Sequence, residues 1–384
     1  MKIPFHKPNL PESLDEIYHE SLRSGWLTTG DLVKSFEHKL SSYLNADYVV
    51  ALNSCTAGLH LALAANDFKK GEKFILPTMT FISTLECGEY LGMEPLLVDC
   101  DESGFLMDIN QVEDYLRKED NVKAILPMHY GGDPIDMKCL FTLAKKYGVF
   151  VLEDAAHALE TVSNFGKIGD TSHCAAFSFY ANKNITTAGE GGAIATNNQE
   201  FAEKVKRLSL HGITKDGWSR FKENGKWEYD ITELGYKYNM TDLSASYGLW
   251  QMERVDCWRE KRINIAKYYY QRLENIDGIT LPNFSNGHAW HLFAIKLNLK
   301  YWKISRNSII EKLNNNGIGL AVHYKPIHKL LYCRNKYRFS SEDFPRSNEL
   351  FDSIISLPIY PRLTFNEIDY ITENLINLYE KFSI

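Results

Sequence analysis

The sequence has no Cys-x-x-Cys pair. Its seven cysteines (Cys55, Cys87, Cys100, Cys139, Cys174, Cys257 and Cys333) are scattered and odd in number. This excludes a disulfide framework or a cysteine zinc site and reads as reduced thiols in a cytosolic protein. No apolar run approaches the ~18 residues that a membrane span requires. The start, Met1-Lys2-Ile3-Pro4-Phe5-His6-Lys7-Pro8, lacks a signal-peptide core, so a cytoplasmic location and no membrane partner are expected. No basic stretch stands out, and the net charge of −6, from 49 acids against 43 bases, argues against nucleic acid. It leaves room for an anionic small substrate, because a local site can oppose the global sign. His-Glu-x-x-His, a Walker loop, a strand-borne Gly-x-Gly-x-x-Gly and a Gly-x-Ser-x-Gly elbow are all missing, and no metal site is expected.

What is present suits a full globular core: 384 residues, 44% hydrophobic and 24% charged. Short apolar runs at 48–53, 73–77, 95–99, 124–129, 149–154, 175–180 and 192–196 read as strands. Helical patterns at 56–66, 80–92, 133–148 and 199–210 fall between or after them. Apolar strands separated by helices predict an α/β fold with a mostly parallel seven-stranded sheet flanked by helices. A polar, aromatic stretch around 215–227 reads as a long loop, and 241–274 as a long helix interrupted near Val255-Asp256. A strand at 290–296 and a helix at 304–315 suggest a smaller C-terminal α/β domain. The expected division is 1–250, with an N-terminal arm, and 251–384.

In parallel sheets ligands bind beyond the carboxyl ends of the strands. Asp154 closes one strand run, and Lys183 follows another in Phe177-Ser178-Phe179-Tyr180-Ala181-Asn182-Lys183-Asn184. A lysine there can hold an aldehyde cofactor as a Schiff base, and a carboxylate can keep a pyridinium nitrogen protonated, which are the two requirements of a pyridoxal phosphate (PLP) site. Asn53-Ser54-Cys55-Thr56-Ala57-Gly58 joins a strand to a helix and reads as a phosphate cradle or as an ordinary capped helix. Phe81 reads as a ring-stacking group or a core phenylalanine. Asp154 equally reads as a helix cap, and His157 as a cofactor contact or a satisfied surface histidine. Ser178 is placed to donate to a phosphate, with Tyr180 pointing the same way two residues along the strand. Gly189, Gly191 and Gly192 permit close backbone approach after Lys183.

Together with Gly25-Trp26-Leu27-Thr28-Thr29-Gly30, His211-Gly212-Ile213, Trp290-His291-Leu292-Phe293, His323-Tyr324-Lys325-Pro326 and Ser356-Leu357-Pro358, these segments resemble the DegT/StrS family of PLP-dependent nucleotide-sugar aminotransferases, fold type I, over essentially the whole length. The resemblance implies that Lys183 is the Schiff-base lysine and Asp154 the pyridine-nitrogen partner. It places His157 near the cofactor O3′, Ser178 and the backbone of Thr56 and Ala57 at the phosphate, and Phe81 on the ring. It also implies a homodimer with shared active sites, the segment Gly235-Tyr236-Lys237-Tyr238-Asn239-Met240 reaching the neighbouring subunit through Lys237 or Asn239. Two positions depart from many relatives: Tyr180 stands where histidine is usual, and Gly235, Lys237 and Asn239 stand where Gly-x-Asn-x-Arg is usual. The Tyr-Lys-Tyr-Asn version resembles relatives that aminate C4 of a nucleotide-linked 4-keto-6-deoxy sugar with L-glutamate as donor. Relatives that aminate C3, a dehydratase branch that replaces the lysine with histidine, and a non-catalytic regulator are the alternatives. Substrate contacts are expected from residues 26–30, including Thr29, from Tyr180, His323 and Tyr324, and from the loop 214–230.

Overall fold

Seven strands carry the short, nearly continuous apolar runs that burial on both faces demands: β1 (Tyr48–Leu52), β2 (Lys73–Pro77), β3 (Glu94–Val98), β4 (Val122–Ile125), β5 (Phe150–Asp154), β6 (Cys174–Ser178) and β7 (Gly192–Thr196). The computed structural model describes residues 1–214 and 229–384. Val49, Ala51, Val151, Ala175, Phe177, Ala193 and Ala195 join the core on one face. Their neighbours Val50, Leu52, Leu152, Cys174, Ala176 and Ile194 join the core on the other. The helices Asp31–Leu44, Ile109–Lys118, Met137–Tyr147 and Asp242–Met252 cover the first face, and Cys55–Ala65, Ser83–Glu89 and Gln199–Leu208 the second.

The strands hydrogen-bond in the order β1-β7-β6-β5-β4-β2-β3. All pairs are parallel except those of β7, which runs antiparallel between β1 and β6. The mostly parallel seven-stranded sheet expected from the sequence is therefore the observed one. Two helices differ from expectation. The helix expected over 80–92 is confined to Ser83–Glu89, so Phe81 lies in the turn before it. The long helix over 241–274 is two helices, Asp242–Met252 and Val255–Leu273, parted at Glu253-Arg254, two residues before the expected interruption.

Asp242 does further work across the chain. Its carboxylate accepts from the N–H groups of Gly30 at 2.8 Å and Val33 at 3.0 Å, and so caps the helix Asp31–Leu44, whose own N-cap residue is a glycine without a side-chain acceptor.

A second, antiparallel sheet orders β8 (Ile279–Thr280), β9 (Phe293–Leu297) and β10 (Ile354–Leu357) as β10-β9-β8. Its core takes Phe293, Ile295, Ile355 and Leu357, with Ile309 and Leu313 from the helix Arg306–Asn315 and Ile368 and Ile371 from Phe365–Phe382. The helix Val255–Leu273 begins in the first core with Val255 and Trp258 and ends in this one with Ile265, Tyr269 and Leu273. The division expected between residues 250 and 251 falls inside the helix Asp242–Met252. The N-terminal arm also reaches the smaller sheet's core: Ile3 is buried there, and its backbone bonds Gly317 and Gly319 at 2.8 and 2.7 Å.

Candidate active site

Asp154 is the last residue of β5 and Ser178 the last of β6; Leu52 ends β1. Because β7 runs against both neighbours, its first residue, Gly192, pairs with Leu52 on one side and Ser178 on the other. This brings the ends of β1 and β6 to one spot. A Cβ on Gly192 would lie 2.3 Å from the carbonyl carbon of Ser54 and 2.4 Å from the nitrogen of Cys55, so only glycine lets β7 approach the turn into the helix Cys55–Ala65. In that turn Ser54 Oγ accepts from Ala57 N at 3.1 Å, the capped-helix geometry. The Ala57 N–H is thus engaged with Ser54.

Asp154 is 2% exposed. Its Oδ2 accepts from Thr84 Oγ1 at 2.6 Å and its Oδ1 from Ala156 N at 3.2 Å. With its proton committed to Asp154, Thr84 Oγ1 accepts from Thr80 Oγ1 at 2.8 Å. Burial raises the carboxyl pKa, while the Thr84 hydroxyl, the Ala156 N–H and the charges of Lys183 and His129 pull it back. The position therefore favours a carboxylate once a cation or strong donor faces it.

Lys183 sits in a tight loop after β6. Its N–H bonds Tyr180 O at 2.9 Å, and Ala181 N bonds Gly189 O at 2.9 Å. Ala188 and Gly189 take left-handed φ values of 66° and 127° to close the turn. The Lys183 side chain is half-buried, and its amine has no hydrogen-bond partner among the described residues. Burial lowers its pKa from 10.5 to about 8, against the raising influence of Cys55 and Asp154. An amine that gives up its proton near pH 8, close to a carboxylate, can serve as a nucleophile and a proton carrier.

Three histidines gather beside it. His157 is buried, with Nδ1 accepting from Gly131 N at 3.2 Å. The neutral ring therefore carries its proton on Nε2, which donates to Tyr324 Oη at 2.9 Å. His291 packs against it with ring centroids 4.2 Å apart. The pKa values of both rings are held well below the usual histidine range by burial first and Lys183 next. A buried chain of bonds fixes the tautomer of His291. Arg262 pairs with Glu160; Glu160 accepts from Asn184 Nδ2 at 2.6 Å; and Asn184 Oδ1 faces His291 Nδ1 at 3.0 Å. Nδ1 must donate there, so Nε2 keeps a lone pair. The residue before it, Trp290, is fully buried at φ 51°, a strained value for so large a side chain. The third ring, His323, bonds Ser356 Oγ through Nδ1 at 2.9 Å, and burial lowers its pKa to about 4.

The other expected residues fall as follows. Phe81 is 55% exposed, so it is not a core phenylalanine; its ring lies 6.0 Å from that of Tyr324. Ser178 Oγ accepts from Tyr180 N at 3.4 Å, and the Tyr180 side chain is exposed. Lys237 Nζ donates to Asn239 Oδ1 at 2.6 Å, and Asn239 Nδ2 to Thr29 Oγ1 at 2.7 Å, one group in an extended segment running beside Leu52 and Asn53. Of the loop expected at 214–230, residues 215–228 lie outside the described residues. Reasoning from sequence missed Thr84, Asn184 and the Glu160–Arg262 pair. Thr84 stands three residues after Phe81, and no periodicity marks it.

The sequence profile of the DegT/DnrJ/EryC1/StrS aminotransferase family matches residues 9–376. The spore coat polysaccharide biosynthesis protein SpsC of Bacillus subtilis is 36% identical over 374 residues, 97% of this chain and 95% of that protein. An uncharacterised protein of Methanocaldococcus jannaschii is 39% identical over 367 residues, 95% and 94% of the two chains. Spr1654 of Streptococcus pneumoniae, named as a candidate sugar aminotransferase and solved in its PLP form, superposes with a TM-score of 0.90 at 31% identity over 99% of each chain. PseC of Helicobacter pylori, an aminotransferase in pseudoaminic acid biosynthesis, does so with a TM-score of 0.90 at 25% identity over 100% of each.

Proposed function

The chain belongs to the DegT/DnrJ/EryC1/StrS aminotransferase family, and from that premise we propose that it moves an amino group from L-glutamate to C4 of a nucleotide-linked 4-keto-6-deoxy sugar. The family depends on PLP, and a structural relative is known in its PLP form. The residues present fit that group. A buried carboxylate, Asp154, has a raised pKa, and an amine of depressed pKa, Lys183, lies near it without a hydrogen-bond partner among the described residues. This pairing at the ends of β5 and β6 is the observation that carries the reading.

Bound there, PLP supplies an electrophilic aldehyde and a ring that takes up electrons from the reacting carbon. Lys183 holds the aldehyde end through Nζ. When displaced, its amine takes the proton from Cα of the donor, and a pKa of about 8 suits that task near neutral pH. Asp154 keeps the ring nitrogen protonated, with Thr84 and Ala156 fixing its two oxygens. His157, its Nδ1 tied to Gly131, presents an Nε2–H at the end that Tyr324 occupies. Ser178, Thr56 and Ala57 would hold the phosphate. Phe81 covers the ring. Thr29, Tyr180, His323 and Tyr324 line the sugar side.

The relatives named for spore coat polysaccharide and pseudoaminic acid biosynthesis support a sugar acceptor and a surface glycan as destination. The Tyr236-Lys237-Tyr238-Asn239 version of the shared segment supports C4 over C3. Purified protein loaded with PLP, treated with L-glutamate and then with a panel of UDP-, dTDP- and GDP-linked 4-keto and 3-keto sugars, decides the matter. Glutamate should bleach the visible cofactor band, and one 4-keto sugar should restore it with nitrogen at C4 by NMR. A band indifferent to glutamate would remove the donor assignment, and a deoxygenated product would put the dehydratase reading in its place.

A further inference from the structure

The N-terminal arm runs from the smaller sheet's core to the wall behind Lys183. Ile3 is anchored at Gly317 and Gly319, Phe5 packs on the His323 ring with centroids 5.5 Å apart, and Asn9 O accepts from Tyr247 Oη at 3.1 Å and Gln251 Nε2 at 3.0 Å. Between these fixed points His6 enters a cavity lined also by Asn182, Lys183, Arg262, His291 and Tyr360. Two buried atoms there have no hydrogen-bond partner, His6 Nε2 and Asn182 Oδ1. Both are acceptors. His6 uses its other nitrogen toward the carbonyl of Ala181, and burial with Arg262 nearby keeps the ring neutral, its pKa lowered to about 4. His291, whose Nε2 the Asn184 contact leaves as a lone pair, lines the same cavity.

Size and charge then choose the occupant. The cavity measures about 20 Å³, and one water needs ~10–15 Å³. A sugar or a donor carboxylate is far too large, and a carboxylate would also set its lone pairs against those of His6 and Asn182. A small cation would have to sit beside Arg262 and Lys183 with only neutral acceptors to offset its desolvation. A water meets every condition. It donates one hydrogen to each orphaned acceptor, and its oxygen accepts from the Lys183 amine.

We propose that His6 and Asn182 hold a single buried water as the hydrogen-bond partner of the Lys183 amine, making His6 of the N-terminal arm a positioning residue of the active site. This rests on Lys183 being the reactive amine, but not on which sugar is used. The water steadies the amine and sets how readily it gives up its proton. Arg262 with its partner Glu160, His291 and Tyr360 are the titratable and charged groups around the cavity, and Cys55, Asp154, His157 and His323 face Lys183 from the other elements.

The test uses the full-length enzyme without sugar, with the Lys183 amine free before PLP is added, so that failure of the C4 or donor assignment leaves it readable. A high-resolution crystal structure should show water density within hydrogen-bond distance of His6 Nε2 and Asn182 Oδ1. The pH midpoint for the rate at which added PLP forms its absorbance band with the free Lys183 amine should fall by about one unit in His6→Phe, which fills the space without an acceptor, and return toward wild type in His6→Gln, which restores one. A dry cavity in the wild-type structure, or a His6→Phe midpoint equal to wild type, overturns the proposal. If His6→Phe fails to fold, the wild-type density alone decides.

Discussion

Asp154 and Lys183 stood out because their chemistry is tied to position: a carboxylate closing a buried strand must have a reason to be there, and the lysine follows the neighbouring strand toward the same edge. The residues that orient them were not legible. Thr84, Asn184 and His291 belong to separate segments, and only folding brings the Thr84 hydroxyl to 2.6 Å from Asp154 or Asn184 to 3.0 Å from His291. The displaced titration of Lys183 has a consequence for the cofactor-free protein. Its pKa is about 8 when folded against 10.5 unperturbed. Between those values the unfolded chain binds more protons than the folded one, so this group makes stability rise with pH; below about pH 8 both states are charged and the full cost of burying the ammonium is present. Lys183→Met removes that cost. Cofactor-free Lys183→Met should melt higher than wild type at neutral pH, and the gap should shrink from pH 8 upward; a gap independent of pH would contradict the assigned burial.

Among the elements, the strands were the easiest to read, since residues buried on both faces of a sheet make short apolar runs. Helices with thin apolar faces were passed over: Ile109–Lys118 buries only Val112 and Leu116. The misplaced helix break at Glu253-Arg254 has no glycine or proline to mark it. The start of Asp31–Leu44 was hidden for another reason, since its cap is supplied by Asp242, more than two hundred positions away. Asp242→Ala should therefore destabilise the protein by ~1–2 kcal/mol, the cost of losing a helix cap, with Asp242→Asn losing less because one acceptor remains. Chemical denaturation measures it, and equal midpoints for wild type and the alanine variant would show that the helix start does not need this carboxylate.

For the whole molecule, the sharing of active sites between two copies implied by the family resemblance is the open arrangement. Lys237 and Asn239 are bonded to each other and so form one unit able to meet an anion. If that unit completes the site of a second copy, Lys183→Ala and Lys237→Ala proteins, each inactive alone, should regain part of the wild-type activity when unfolded and refolded together; no recovery from a folded mixed dimer would place both residues in the same subunit's site. The path of the arm bears on how the enzyme is made. Residues 1–9 leave the ribosome some three hundred residues before the backbone that Ile3 pairs with, Gly317 and Gly319. The large sheet and its lysine loop can form during synthesis, but the wall behind Lys183 can be finished only after residue 319 has emerged. A nascent chain, or one cut short before residue 317, keeps the lysine without the surroundings that tune it, and so carries the reactive group before it carries the activity.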